Sequence, residues 1–181
     1  VRDEFARAHA TLRNGAAFLA KWMMAQDAAG SHAGPHGHRR RSRVIANGLR
    51  ELDRFLNLLV DEACWRHGLP AQPRQRNTAN KLGSFRAALG LELAERPQLE
   101  ALARTRDLLF HCNGMALRGD RRGERLLTLG WPGSDDAAAL ATVATGSVII
   151  VTGSDMASVC GLYQQLADAL LEGGTPPSIT A

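Results

Sequence analysis

The stretch Arg104-Thr105-Arg106-Asp107-Leu108-Leu109-Phe110-His111-Cys112-Asn113-Gly114 sets how the rest of the chain is read. At about 100° per residue, Leu99, Leu102, Ala103, Leu109 and Phe110 fall on one apolar stripe of a helix. Pro97 opens that helix and Gly114 closes it. Arg106 projects from the middle of the stripe, where a guanidinium is costly to bury unless a partner pairs with it or water reaches it. Asp107, His111 and Arg104 gather on the adjoining flank. Two readings stay open. In one, Arg106 salt-bridges a neighbouring helix and His111 caps the helix C-terminus, where partial negative charge favours an imidazolium. In the other, arginine, carboxylate and histidine are assembled for chemistry.

Working outward, helical periodicity dominates. Residues 3–28 repeat apolar side chains at Phe5, Ala8, Leu12, Ala16, Leu19 and Met23, which predicts a first long helix. From Ser42 the row Ile45, Leu49, Leu52, Leu56, Leu59 and Ala63 predicts a second, with Arg50, Glu51, Asp53, Arg54, Asp61 and Glu62 outside, ending at His67-Gly68-Leu69-Pro70. Between them, residues 30–43 mix Gly and Pro with His32, His36, His38, Arg39, Arg40 and Arg41. This predicts a solvated basic loop rather than a metal site, because no carboxylate or cysteine is near the histidines. Asn77 or Thr78 caps a short third helix through Leu82, Phe85 and Leu89. Beyond Gly119 the period changes: Glu124–Trp131 and Ser147–Thr152 predict a two-stranded antiparallel hairpin with a long loop. Ser154 or Asp155 then caps a last helix with the stripe Met156, Val159, Cys160, Tyr163, Leu166, Ala167 and Leu170.

Composition agrees with this pattern. A chain of 181 residues, 45% hydrophobic but only 5% aromatic, fits one mainly α domain packed through small and branched side chains. The fold expected is an antiparallel bundle of four to five helices, with the hairpin before the last helix. A net charge of +4 permits a polyanionic partner without requiring one. Cys64, Cys112 and Cys160 form no metal-type pair and read as small apolar fillers in a reducing interior. No membrane span and no signal-peptide architecture is seen, so the expected location is cytoplasmic. There is no phosphate loop after a strand, no nucleophile elbow and no His-Glu-x-x-His, and no cofactor is implied.

Arg106-Asp107-Leu108-Leu109-Phe110-His111 resembles the Arg-x4–6-His motif of the HEPN superfamily: an arginine, a polar residue, three more residues and a histidine late in a helical bundle. Asp107 stands where asparagine is more usual. The resemblance implies one domain over residues 1–181, with the core bundle at about 3–118 and the hairpin and last helix as an extension over about 119–173. Arg104 satisfies a longer form of the motif and shares the face of His111, while Arg106 is about 140° away on a straight helix, so which arginine is functional stays open. HEPN motif helices commonly meet across a homodimer interface, which would bring Arg106 of one chain towards His111 of the other.

The activity the resemblance implies is metal-independent endoribonuclease cleavage. His111 would serve as general base or acid, Arg106 would stabilise charge on the phosphoryl oxygens, and Asp107 would orient one of these two side chains. Arg104, Asn113, Arg39, Arg40 and Arg41, together with Arg118, Arg121 and Arg122, would hold the RNA backbone. The alternative is a non-catalytic helical module for dimerisation, for RNA binding or for a protein partner such as an antitoxin.

Overall fold

The structure, a computed structural model, describes residues 2–30, 34–70, 77–133, 136 and 138–172. The apolar rows become helices where expected. These are α1 (Arg2–Ala28), α2 (Pro35–Arg66), α3 (Thr78–Ala88), α4 (Arg96–His111) and α5 (Gly153–Leu171), with a hairpin of β1 (Leu126–Pro132) and β2 (Leu140–Ala144) before the last helix. The fold is mainly α, an antiparallel bundle with a small antiparallel β-hairpin. Phe5, Leu12, Ile45, Leu56, Leu82, Leu109 and Tyr163 are fully buried, so one core is shared by all five helices. The most extensive packing between helices is that of α5 along α1, and α5 also reaches α2.

Three expectations are corrected. From Pro35 onward the basic segment is helix rather than loop: α2 begins there and carries His36, His38, Arg39, Arg40 and Arg41 on its first turns. Proline in the first turn presets the helical φ, and Arg41 anchors the segment by pairing with Asp27 at 2.5 Å and donating to the Val151 carbonyl at 2.9 Å. His32 lies outside the described residues. The second strand is Leu140–Ala144, not Ser147–Thr152. The latter run is extended, with Ile149 and Val151 buried and Ile150 exposed, but it pairs with the chain after α4: Ala116 N–H donates to Ser147 O at 2.9 Å and Ile149 N–H to Gly114 O at 2.7 Å. The α5 cap is Thr152, in a reciprocal capping box with Asp155. At α3, Asn77 is the cap, accepting from Asn80 N–H at 3.0 Å.

Two glycines fix how α4 sits. Gly114, at φ +79°, follows its C-terminus, and a Cβ there would lie 2.8 Å from His38 Nε2 and 2.9 Å from Ser42 Oγ, so the end of α4 is drawn against α2. Gly130 of β1 lies against Leu102, and a Cβ there would come within 2.9 Å of the Leu102 Cα. The hairpin therefore lies directly on α4, with Leu127, Leu129 and Trp131 buried. Cys64 and Cys160 are buried and Cys112 half-buried, all with free thiols. Burial pushes the Cys160 thiol up to about 12, as befits an inert filler. Among the described residues no helix is long and apolar enough to cross a membrane.

Candidate functional site

Asp53 and Arg106 are the pair around which the site is built. Asp53 follows Leu49 by four residues and precedes Leu56 by three, so it lies on the apolar face of α2 and is 9% exposed. The outside position expected for it is corrected. Arg106 projects from the corresponding face of α4, and its Nη1 donates to Asp53 Oδ2. The other Asp53 oxygen accepts from the Tyr163 hydroxyl of α5 at 2.6 Å and from the Thr78 hydroxyl of α3 at 3.1 Å. Asn57 donates to Thr78 Oγ1 at 2.9 Å. One buried carboxylate thus links four helices. Arg106 also donates through Nε and Nη2 to Asp107 Oδ1, at 3.3 and 3.1 Å.

The electrostatics follow from burial and pairing. Burial works against the Arg106 charge, but attraction to Asp53 and the bonds to Asp107 outweigh it, and the guanidinium is held above its ordinary range. The Tyr163 hydroxyl is pushed far up, first by complete burial and then by the neighbouring Asp53 charge. It is a fixed donor. With its guanidinium secured on two sides, Arg106 has little freedom to reorient.

Above this network α2 and α4 leave an open cleft of about 650 Å³. Arg50, Arg54 and Asn57 line one wall; Arg106, Asp107, Phe110 and His111 line the other. His111 is exposed at the last residue of α4, its ring edge-on to Phe110 with centroids 4.9 Å apart. Among the described residues it has no hydrogen-bond partner. Arg106 and His111 therefore share one cleft within a single chain, without touching each other through a hydrogen bond.

The remaining sequence candidates are dispersed. Arg104 pairs with Asp120 at 3.1 Å and faces a different cavity of about 700 Å³, beside Arg118, Arg121 and Arg122. It therefore lines a different cavity from the one that His111 lines. Thr128 holds Asp120 through both its backbone N–H and its hydroxyl, leaving that carboxylate well placed to capture Arg104. Asn113 adopts a left-handed φ of 51° in the turn after α4. Arg39 and Arg40 are exposed on α2, while Arg41 is held by Asp27. Asp53, Tyr163, Arg50 and Arg54 were not singled out from sequence. A signal for the first was present: a carboxylate on the core face of one helix answers an arginine on the core face of another.

Comparison of the chain with protein-family models, with curated proteins and with solved structures gives no match. The HEPN resemblance accordingly rests on the motif and the bundle.

Proposed function

We propose that the chain is a HEPN-like endoribonuclease that cuts RNA without a metal at the α2/α4 cleft. The observation that carries this reading is the convergence of Arg50, Arg54, Arg106 and an exposed His111 on one solvent-reached cleft. Arginine forks match phosphate oxygens, and a fixed guanidinium stabilises charge that builds during reaction without having to reorganise. Arg106, held by Asp53 and Asp107, is of that kind, and it is favoured over Arg104 as the functional arginine.

In the proposed step, His111 takes the proton of a ribose 2′-hydroxyl as that oxygen attacks the adjacent phosphorus. The bond to the 5′-oxygen breaks and a proton is delivered to that oxygen. The products are a 2′,3′-cyclic phosphate and a 5′-hydroxyl, and DNA is inert for want of the attacking group. One histidine cannot be base and acid in the same step, so the proposed working form is a homodimer in which a second copy supplies the other.

The test is incubation of mixed-sequence RNA in EDTA with wild type and with His111→Ala. The expected result is cyclic-phosphate ends from wild type and at least about a hundredfold slower cleavage by the variant, a general acid–base contribution being worth 10²–10⁴. RNA left equally intact by both sinks the nuclease reading. A second reading has its own observation: Arg106 is tied to two carboxylates, as in a structural ion pair, which favours a non-catalytic helical module for dimerisation or for binding RNA or a protein. RNA bound yet uncut by either protein is the result that supports it.

A further inference from the structure

The correction at the start of α2 places an unexpected row of charge on one side of the molecule. From Pro35 to Arg50 the helix has five arginines, two histidines and no carboxylate. At about 100° per residue, Arg39, Arg43, Arg50 and Arg54 fall within an arc of roughly 60°, and at 1.5 Å rise they extend over about 22 Å. All four are exposed. Among the described residues Arg39, Arg43 and Arg50 have no ion pair, and Arg54 has an exposed one to Glu51 in the same helix at 2.8 Å. Such exposed pairs hold a guanidinium weakly. The row runs into the cleft, because Arg50 and Arg54 are also its lining residues.

We propose that a single-stranded RNA lies along α2, its phosphates on Arg39, Arg43, Arg50 and Arg54, and enters the cleft with a base against Phe110. The proposal rests on the reading of the cleft as a phosphodiester site and extends it to the path of the substrate. Three observations argue for a single strand. The row is one helix wide, so it can follow one backbone, whereas a duplex presents two. Its arginines are four, seven and four residues apart, about 6, 10.5 and 6 Å along one helix face, intervals that a flexible single strand can match with its phosphates. Phe110, 36% exposed at the end of the row, offers an aromatic surface for stacking, which is the usual complement to a basic groove in single-strand binding. The other arginine-rich place, around Arg118, Arg121 and Arg122, has no aromatic side chain in its lining.

The experiment is fluorescence anisotropy of the full chain with a labelled oligonucleotide of about 12 2′-O-methyl nucleotides, near the site sizes of single-strand grooves. The 2′-O-methyl groups prevent cleavage, so binding is read apart from chemistry. Wild type, Arg39→Gln/Arg43→Gln and the off-row control Lys21→Gln, which removes one positive charge, are titrated from low to high salt. The proposal expects the double variant to lose at least about tenfold in affinity at low salt, and the slope of log K against log salt to fall by about 1.4, two contacts at roughly 0.7 each. Lys21→Gln, on α1, should change affinity less than about twofold, by the same accounting. An unchanged slope in the double variant, an equal loss in Lys21→Gln, no binding by wild type, or tighter binding of a duplex of the same sequence each overturns it. RNA cut in a His111-dependent way with no effect of the Arg39/Arg43 change rejects the track and leaves the cleft reading standing. RNA bound along α2 but not cut does the reverse.

Discussion

Asp53 ties its own helix to three others, because three donors from α3, α4 and α5 end on it. Removing it leaves the Tyr163 and Thr78 hydroxyls without this acceptor and Arg106 with only the exposed Asp107, and breaking such a buried network costs more than the network contributes. Asp53→Ala is therefore expected to lower stability by about 3–5 kcal/mol. Tyr163→Phe, which deletes one hydrogen bond to a charged acceptor, should cost about 1.5–3 kcal/mol. Urea unfolding of the two variants checks the order, and a loss below about 1 kcal/mol for Asp53→Ala would mean that the pair behaves like an exposed one. At this scale the sequence was half legible. Arg106 announced itself by standing on an apolar stripe, and His111 by its place at a helix end. Asp53 was hidden among Arg50, Glu51 and Arg54, where one buried carboxylate looks like one more surface charge. Tyr163 was read as core, which it is, but its hydroxyl partner comes from a residue 110 positions away.

Helix pairs add a pH dependence of known sign. On α5, Asp168 accepts from His9 at 2.7 Å and from Arg13, both on α1. Partial burial opposes its charge, but the hydrogen bonds from Arg13 and His9 outweigh that and hold the carboxyl below its ordinary value of 3.8. A depressed folded pKa means that the unfolded chain binds the proton first. The stabilisation is then fully present above about pH 4, near the unfolded pKa, and is lost as pH falls through the folded value. Thermal unfolding of wild type should show a midpoint that drops below that pH, and Asp168→Asn should flatten the drop while lowering the midpoint at pH 7. An unchanged acid profile in the variant would remove Asp168 from the account. Element boundaries were legible wherever a local signal acted alone, as at Asn77 and at Gly114. They were missed where distant contacts take part: in the helix that begins at Pro35, Arg41 reaches Asp27 and the Val151 carbonyl, and the Ser147–Val151 run pairs with the chain after α4 instead of in the hairpin.

For the whole molecule the open question is how many chains make one working cleft. On a straight helix Arg106 and His111 diverge, which pointed to a site completed only by a second chain. The fold relaxes that requirement for the arginine, because both residues line one cleft of the same protomer. On the nuclease reading a second proton carrier is still needed, since among the described residues the cleft holds no other histidine and its two carboxylates, Asp53 and Asp107, are engaged by Arg106. A cleft that uses two copies of His111 has a rate per chain that falls on dilution through the dimer dissociation constant, by mass action. A cleft complete in one chain has a rate per chain that does not depend on concentration. Initial cleavage rates over a wide dilution series, paired with sedimentation mass at each concentration, separate the two. The expected result is that activity per chain declines in step with the dimer fraction. Constant activity per chain in a sample whose mass is that of one chain would show that a single His111, with water as its counterpart, is sufficient.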